Sequence, residues 1–535
     1  MLWITKRGYN VGMGRKSLLS ALTAVLCFSA CAFLSALTFS PYEKETWDIP
    51  ESPIDKCVLS LLREKGLEPA PSCSDEVFVR RVYLDVTGTM PEPEDVLSFL
   101  GDSRPGKRAA LISALLERDE FAQYWSLKWG DILRIKSEFP INLWPNAVQA
   151  YHRWILESLR ENKPYDIFAR QLLTSSGSNF RVPQVNFQRA IQGRGPASLA
   201  SAAALTFMGI RMEKMPGKLA EGLIPFFSMV SYKATREWKE EIVYLNPAQS
   251  GPLRAVFPDG KAVVIPPGRD PREVFADWLI TPRNPWFSKN IVNRIWYWLM
   301  GRGIIHEPDD ISKDNPPSNP ELLALLEREL VDSGYDMKHI YTIILNSRTY
   351  QQSSIKRNES PDSGRFFDHY PVRRLDAEVL LDMLYRIGGQ REQYVSPIPE
   401  PFTVIPRYQR TILLSDGSIT GPFLELFGRP PRDTGRELER NNQINDAQQR
   451  YLLNSSEIQK RIQSGQGVRK IISQARGRQE ELIKNIYLFM LSRYPTGDEI
   501  KTAREYFSSG GMKLYDSVND LVWALINNKE FLYRH

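Results

Sequence analysis

Sulfur and imidazole are scarce. The 535 residues include four cysteines and five histidines, too few for a disulfide-built scaffold or for several metal or haem sites, which concentrate those ligands. Charge of one sign is also in short supply: 69 Lys and Arg against 63 Asp and Glu leave +6. That surplus is no electrostatic footprint for nucleic acid, so none is expected as a partner. There is no Gly-x-Ser-x-Gly elbow, no Walker loop and no Gly-x-Gly-x-x-Gly after a strand, which counts against serine hydrolases, nucleotidases and dinucleotide enzymes. No repeat of fixed period is visible. What remains, 42% apolar and 25% charged, is the composition of an ordinary globular chain of more than one unit.

The first forty residues read as an export signal. Lys6, Arg7, Arg15 and Lys16 precede an uncharged run over residues 17–39, long enough at about 1.5 Å per residue to cross a hydrocarbon layer of about 30 Å. By the positive-inside tendency residues 1–16 stay in the cytoplasm and everything after a linker at 40–51 is periplasmic or at the cell surface. Ala30-Cys31-Ala32 offers a small-x-small cleavage site, and Phe28-Ser29-Ala30-Cys31 loosely resembles an acylation site. A cleaved signal peptide and a retained inner-membrane anchor both fit. Beyond it only Cys57 and Cys73 remain. In an oxidising compartment they are expected to form a disulfide, the alternative being two buried free thiols.

Apolar residues at spacings of three and four dominate residues 52–235, and the period changes over 236–269. There Ile242-Val243-Tyr244, Leu253 to Phe257 and Ala262 to Ile265 are separated by Pro- and Gly-bearing turns, with Asp259-Gly260 as a hairpin signal. Helical spacing returns over 270–535, with Asn284-Pro285 and Asn319-Pro320 as helix starts. The fold is expected to be mainly α, two helical domains with a small β-hairpin insertion between them. The aromatic stretch Phe121, Tyr124, Trp125, Trp129 reads as core packing.

Several strings carry a resemblance. Phe78-Val79-Arg80-Arg81-Val82-Tyr83-Leu84-Asp85, followed by Thr87-Gly88 and Met90-Pro91-Glu92-Pro93-Glu94, is similar to the opening of a planctomycete-type secreted, cytochrome-type domain of unknown function, PSCyt-two. Asn293-Arg294-Ile295-Trp296, Asp309-Asp310, Asn315-Pro316-Pro317-Ser318, Asn346-Ser347-Arg348-Thr349-Tyr350-Gln351, Arg373-Arg374-Leu375-Asp376-Ala377-Glu378 and Phe427-Gly428-Arg429-Pro430 resemble its companion, PSD-one. The resemblance implies a mostly helical extracytoplasmic protein without an established reaction. Many relatives carry Cys-x-x-Cys-His where this chain has Met212-Glu213-Lys214-Met215-Pro216-Gly217-Lys218. With neither thiol nor imidazole there, covalent haem at that site is excluded, and the chain is expected to hold no haem, metal or other cofactor.

Asp309, Asp310, Asn315, Arg373, Arg374 and Arg429 are the candidate binding residues, polar groups in Pro- and Asn-rich loops that suit a binding site or a domain junction. Asp314 adds an oxygen ligand near the first three, but Lys313 sits among them. Arg429, Arg432, Arg436 and Arg440 would form an anion-binding strip if that segment were helical. His152, between aromatic neighbours, reads as packed. The expected function is a non-haem scaffold or binding module of the cell envelope, with an envelope protein or an anionic glycan as partner and the membrane as anchor if the segment is uncleaved. A polysaccharide-processing enzyme using Asp and Arg groups, and an electron-transfer accessory, are the alternatives. No catalytic residue is assigned.

Overall fold

The computed structural model describes residues 41–535 except 249–250, 390, 392, 464 and 509–512. The basic N-terminus, the apolar run and its cleavage and acylation motifs lie outside the described residues. Among those described, no helix is long and apolar enough to cross a membrane. Helix accounts for 54% and strand for 6%, so the fold is mainly α.

Local chemistry explains the first helix and its attachment. Ser52 caps Pro53–Glu64 with a reciprocal bond to Asp55, and Pro occupies the first turn, where no backbone donor is needed. The Asp55 carboxylate also accepts from the backbone N–H groups of Arg348 and Thr349, so one cap ties two distant parts of the chain. The Asp75–Thr87 helix is buried on every side and ends at Gly88, which has φ 60°. A Cβ there would sit 2.5 Å from the Tyr124 ring, so only glycine lets the Asp119–Ile132 helix pack this close.

The aromatic stripe of Asp119–Ile132 is core, as its spacing predicts. Trp125 meets Trp298 and Tyr341, and Trp129 meets Phe168 and Trp298. These contacts join the N-terminal helices to Phe287–Met300 and Met337–Leu345. Tyr42–His535 is accordingly one compact unit with a continuous apolar core, and the two helical halves share it.

The β content is small and split. Val230–Ala234 pairs antiparallel with Glu241–Leu245, which also takes Gly177–Ser178 on its other edge. Leu253–Val256 and Ala262–Ile265 form the Asp-Gly hairpin, with Gly260 at φ 87°. Arg373–Arg374 pairs with Tyr533–Arg534.

The Cys57–Cys73 disulfide does not form; both thiols are free. The residues that connect them bind elsewhere. Ala70 N–H donates to Asp368 O, Ser353 N–H donates to Pro71 O, and Ser72 bridges to Gln352. Cys73 is thereby drawn beneath Arg108, 3.9 Å from its guanidinium. Cys57 instead faces Glu321 and Arg328, and burial pushes its thiol pKa up. Peptide mass spectrometry after denaturation without reductant is expected to find both Cys57 and Cys73 alkylated. A linked peptide pair would contradict this arrangement.

Candidate functional site

The loop after Phe287–Met300 separates its two adjacent acids. Asp309 points inward: Oδ1 accepts from Arg294 Nη2 at 3.0 Å and Oδ2 from the Glu437 N–H at 2.6 Å. Arg294 and Asp309 side chains are each 1% exposed. Glu437 completes the group, with Oε1 accepting from Trp298 Nε1 at 2.8 Å and Oε2 lying 3.4 Å from Arg294. Burial pushes the Glu437 carboxyl up to about 7, against the pull of Arg294 and with the help of Asp309.

Asp310 faces the other way and pairs with Lys214. Asn315 staples the loop by donating from Nδ2 to the carbonyls of His306 and Asp310. Asp310, Asp314 and Asn315 line a surface cleft of about 500 Å³ with His306, Arg302 and Arg365. Asp309 and Asp310 therefore share no open face, and among the described residues no group of three or more His, Cys, Asp or Glu could hold a metal ion. Met212 and Met215, in the segment that replaces the Cys-x-x-Cys-His, are half-buried against the core.

Arg373 and Arg374 occupy a short strand and diverge. Arg373 Nη2 donates to Asp85 at 2.8 Å and to Leu299 O at 2.6 Å. Asp85 also accepts from the hydroxyls of Tyr350 and Tyr370 and lies 3.0 Å from Arg534. Arg374 donates to the carbonyls of Phe427 and Asn441 and stacks over the Phe427 ring.

Three residues on, the charges become a continuous interior chain. Asp376 accepts from Tyr124, Lys128, Asn442 and Arg534. Glu378 takes both terminal nitrogens of Arg440, at 2.7 and 3.1 Å. Arg440 reaches Asp131 with its other edge, at 2.7 and 2.9 Å, and Asp131 also accepts from Arg432 at 2.8 Å. Arg429 stands 3.8 Å from Glu378 and donates to Asp416 O. Burial alone would raise the Asp376 and Glu378 carboxyls, but the cations outweigh it. Lys128, Arg534 and Arg440 hold Asp376 well below the usual range, and Arg440 with Arg429 bring Glu378 down to about 2.

The structure thus brings Arg373, Arg374 and Arg429 into one interior network and keeps Asp309 in a neighbouring one, facing Arg294 rather than those arginines. Asp310 and Asn315 stay at the surface. The arginine strip does not exist, because the segment forms no α-helix, only a short 3-10 turn at Glu437–Glu439. Arg432 has φ 60°, Arg436 turns out to Glu213, and Arg440 turns in. Asp85, Asp131, Glu437 and Arg534 were not singled out as site residues. Asp376 and Glu378 stood in a quoted string whose mixed charges suit buried ion pairing, and the structure supplies their partners, Lys128, Arg534 and Arg440.

Two outcomes are expected. Arg440→Met leaves Asp131 and Glu378 buried without their shared cation and should cost about 3 to 5 kcal/mol, read as lost folded yield and an earlier urea midpoint. Glu437→Gln tests the raised carboxyl. Its folded pKa of about 7 exceeds the ordinary 4.5, so its contribution is full below pH 4.5 and lost as pH rises through 7. The amide should match the wild type in acid and exceed its stability above pH 7 by about 3 kcal/mol, visible in melting curves at pH 4 and pH 8.

Comparison with known proteins places this architecture. Residues 53–213 match PSCyt2, a protein of unknown function (DUF1549), and residues 271–507 match PSD1, a protein of unknown function (DUF1553). No curated protein and no solved structure matches the chain. The interior charges link these two segments directly, Asp85, Lys128 and Asp131 from the first to Arg373, Asp376 and Arg440 from the second. The chain belongs to the family of proteins that carry PSCyt2 and PSD1 in tandem.

Proposed function

We propose that this protein is a binding module of the cell envelope that holds an anionic glycan without transforming it, exported by its N-terminal segment and anchored there if the segment is retained. The distribution of charge carries this reading. Asp85, Asp309, Asp376 and Glu378 are neutralised inside the fold by named cations, whereas arginines whose side chains make no hydrogen bond or ion pair among the described residues are left at the clefts. Arg302 and Arg365 stand together at the Asp310 cleft, where burial and the neighbouring like charge lower the Arg302 pKa. Arg153 and Arg407 line a second groove. A surface of this kind favours carboxylate or sulfate groups. The enzyme alternative, with Asp309 and Asp310 as a working pair, loses support because one is buried against Arg294 and the other is held by Lys214.

The full-length protein in detergent should be retained on an acidic polysaccharide matrix, elute with rising salt, and leave the glycan's chain length unchanged. Retention no greater than on a neutral polysaccharide would refute glycan binding, and shortened chains would refute the non-catalytic reading. In spheroplasts, added protease should digest the protein while a cytoplasmic marker survives; equal protection of both would refute export.

A further inference from the structure

Between the Pro145–Arg160 helix and residues 403–419 runs a groove of about 550 Å³, within the range of small-ligand sites. Its polar groups are unusually unoccupied. Arg153 and Arg407 are exposed and make no hydrogen bond or ion pair among the described residues. His152 lies 3.2 Å from Ser126 Oγ through Nε2, which leaves Nδ1 without a partner. Burial, with Arg432 nearby, pushes this imidazole down to about 4, so at neutral pH it offers an uncharged donor or acceptor rather than a cation. In the wall, Thr403 Oγ1 and Asp416 Oδ2 are buried with no partner, although Asp416 Oδ1 is fixed by the N–H groups of Ser137 and Ser418. Orphaned polar atoms gathered in one wall are partners that the chain itself does not supply.

Aromatic rings flank the same groove. Trp144, next to lining Pro145, packs edge-on against Phe402 and Trp238. Trp238 is 61% and Tyr408 72% exposed. Lys239 Nζ stands 5.1 and 5.4 Å from the Trp144 and Trp238 ring centres. Trp144 adopts φ 72°, ψ 148°, a region almost restricted to glycine, and Tyr408 has φ 64°. Such backbone conformations cluster at ligand clamps. Exposed aromatic faces side by side with hydrogen-bonding groups suit a ligand that is apolar on its ring faces and hydroxylated at its edges, and that is the chemistry of a pyranose. The surrounding Arg153, Arg407 and Lys239 add a requirement for acid groups. Asp416 is the one carboxylate among the described lining residues, whereas glycoside hydrolysis ordinarily needs a facing pair.

We infer that this groove is the glycan site, taking an acidic oligosaccharide whose ring faces lie on Tyr408 and Trp238 and whose carboxylate or sulfate groups meet Arg153 and Arg407. The inference rests on the glycan-binding reading above and commits it to one groove and one mode of contact.

The test uses the full-length protein in detergent and three fluorescent tetrasaccharides, an oligogalacturonate, a sulfated galactan and a neutral β-glucan, with binding followed by anisotropy. At least one acidic probe should bind, weaken with salt and outcompete the neutral one; uronate and sulfate arms tell which acid group is read. Arg153→Ala combined with Arg407→Ala, and separately Trp238→Ala and Tyr408→Ala, should each weaken binding at least tenfold without moving the melting midpoint, since all four side chains are exposed. Arg302→Ala, in the other cleft, should leave affinity unchanged. Acidic probes that bind the groove variants as tightly as the wild type, or that lose affinity only in Arg302→Ala, overturn this inference while glycan binding stands. No binding of any acidic probe by the wild type overturns the glycan reading itself.

Discussion

Arg440 is held by Asp131 on one side and by Glu378 on the other, and both contacts are out of reach of water. A guanidinium in that position is tolerable only because its planar edges are matched by two carboxylates at once. The match also fixes partners. Asp131 belongs to the helix of the aromatic stripe and Glu378 to the helix after Arg373–Arg374, so the guanidinium sets the spacing between the PSCyt2 and PSD1 segments. Asp376 with Lys128, and Asp85 with Arg373 and Arg534, repeat the device along the same junction. Each pair would leave an uncompensated interior charge if the segments parted, and the two segments lie within one compact unit, Tyr42–His535.

That constraint shapes what remains for function. Arg373 crosses the junction to Asp85, whereas Asp309 and Arg374 tie parts of the second half to one another, so these polar groups serve docking and internal order and recognition is left to loops hung on them. Residues 403–419 are an example. Asp382 accepts from the Thr411 and Ile412 N–H groups, Gly417 donates to Ile135 O, and Arg432 reaches the Ser415 carbonyl. A segment with little helix of its own is thereby pinned at several points from both halves.

Much of this could be read from local pattern. Asn319 accepts from Leu322 N–H ahead of Pro320, as the Asn-Pro pair implies, and Val379, Met383 and Ile387 lie buried on one face as their spacing requires. Asn284 follows the rule with a shift: it caps from outside, accepting from the N–H groups of Trp286 and Phe287, and the helix begins at Phe287. What local pattern could not reveal was the choice of partner. Cys57 and Cys73 are near in sequence, yet Ala70, Pro71 and Ser72 bind the distant strands and turns around Gln352 and Asp368, and this long-range competition decides the geometry. Likewise the charges around Asp376 suit buried ion pairing, but only the approach of Lys128 and Arg534 identifies its partners. The groove residues were dispersed over two halves of the chain, and His152 by itself carried no sign of Tyr408 or Arg407.

The pairing of Arg373–Arg374 with Tyr533–Arg534 has a temporal side. Arg80 donates to Phe531 O across 451 positions, and Asp85 meets Arg534 in the same neighbourhood. At synthesis rates of about 5 to 20 residues per second, those early groups wait tens of seconds for their counterparts. Throughout that interval Arg80 and Asp85 lack the groups around residues 531–534 that meet them in the folded chain, so this part of the core closes late in synthesis.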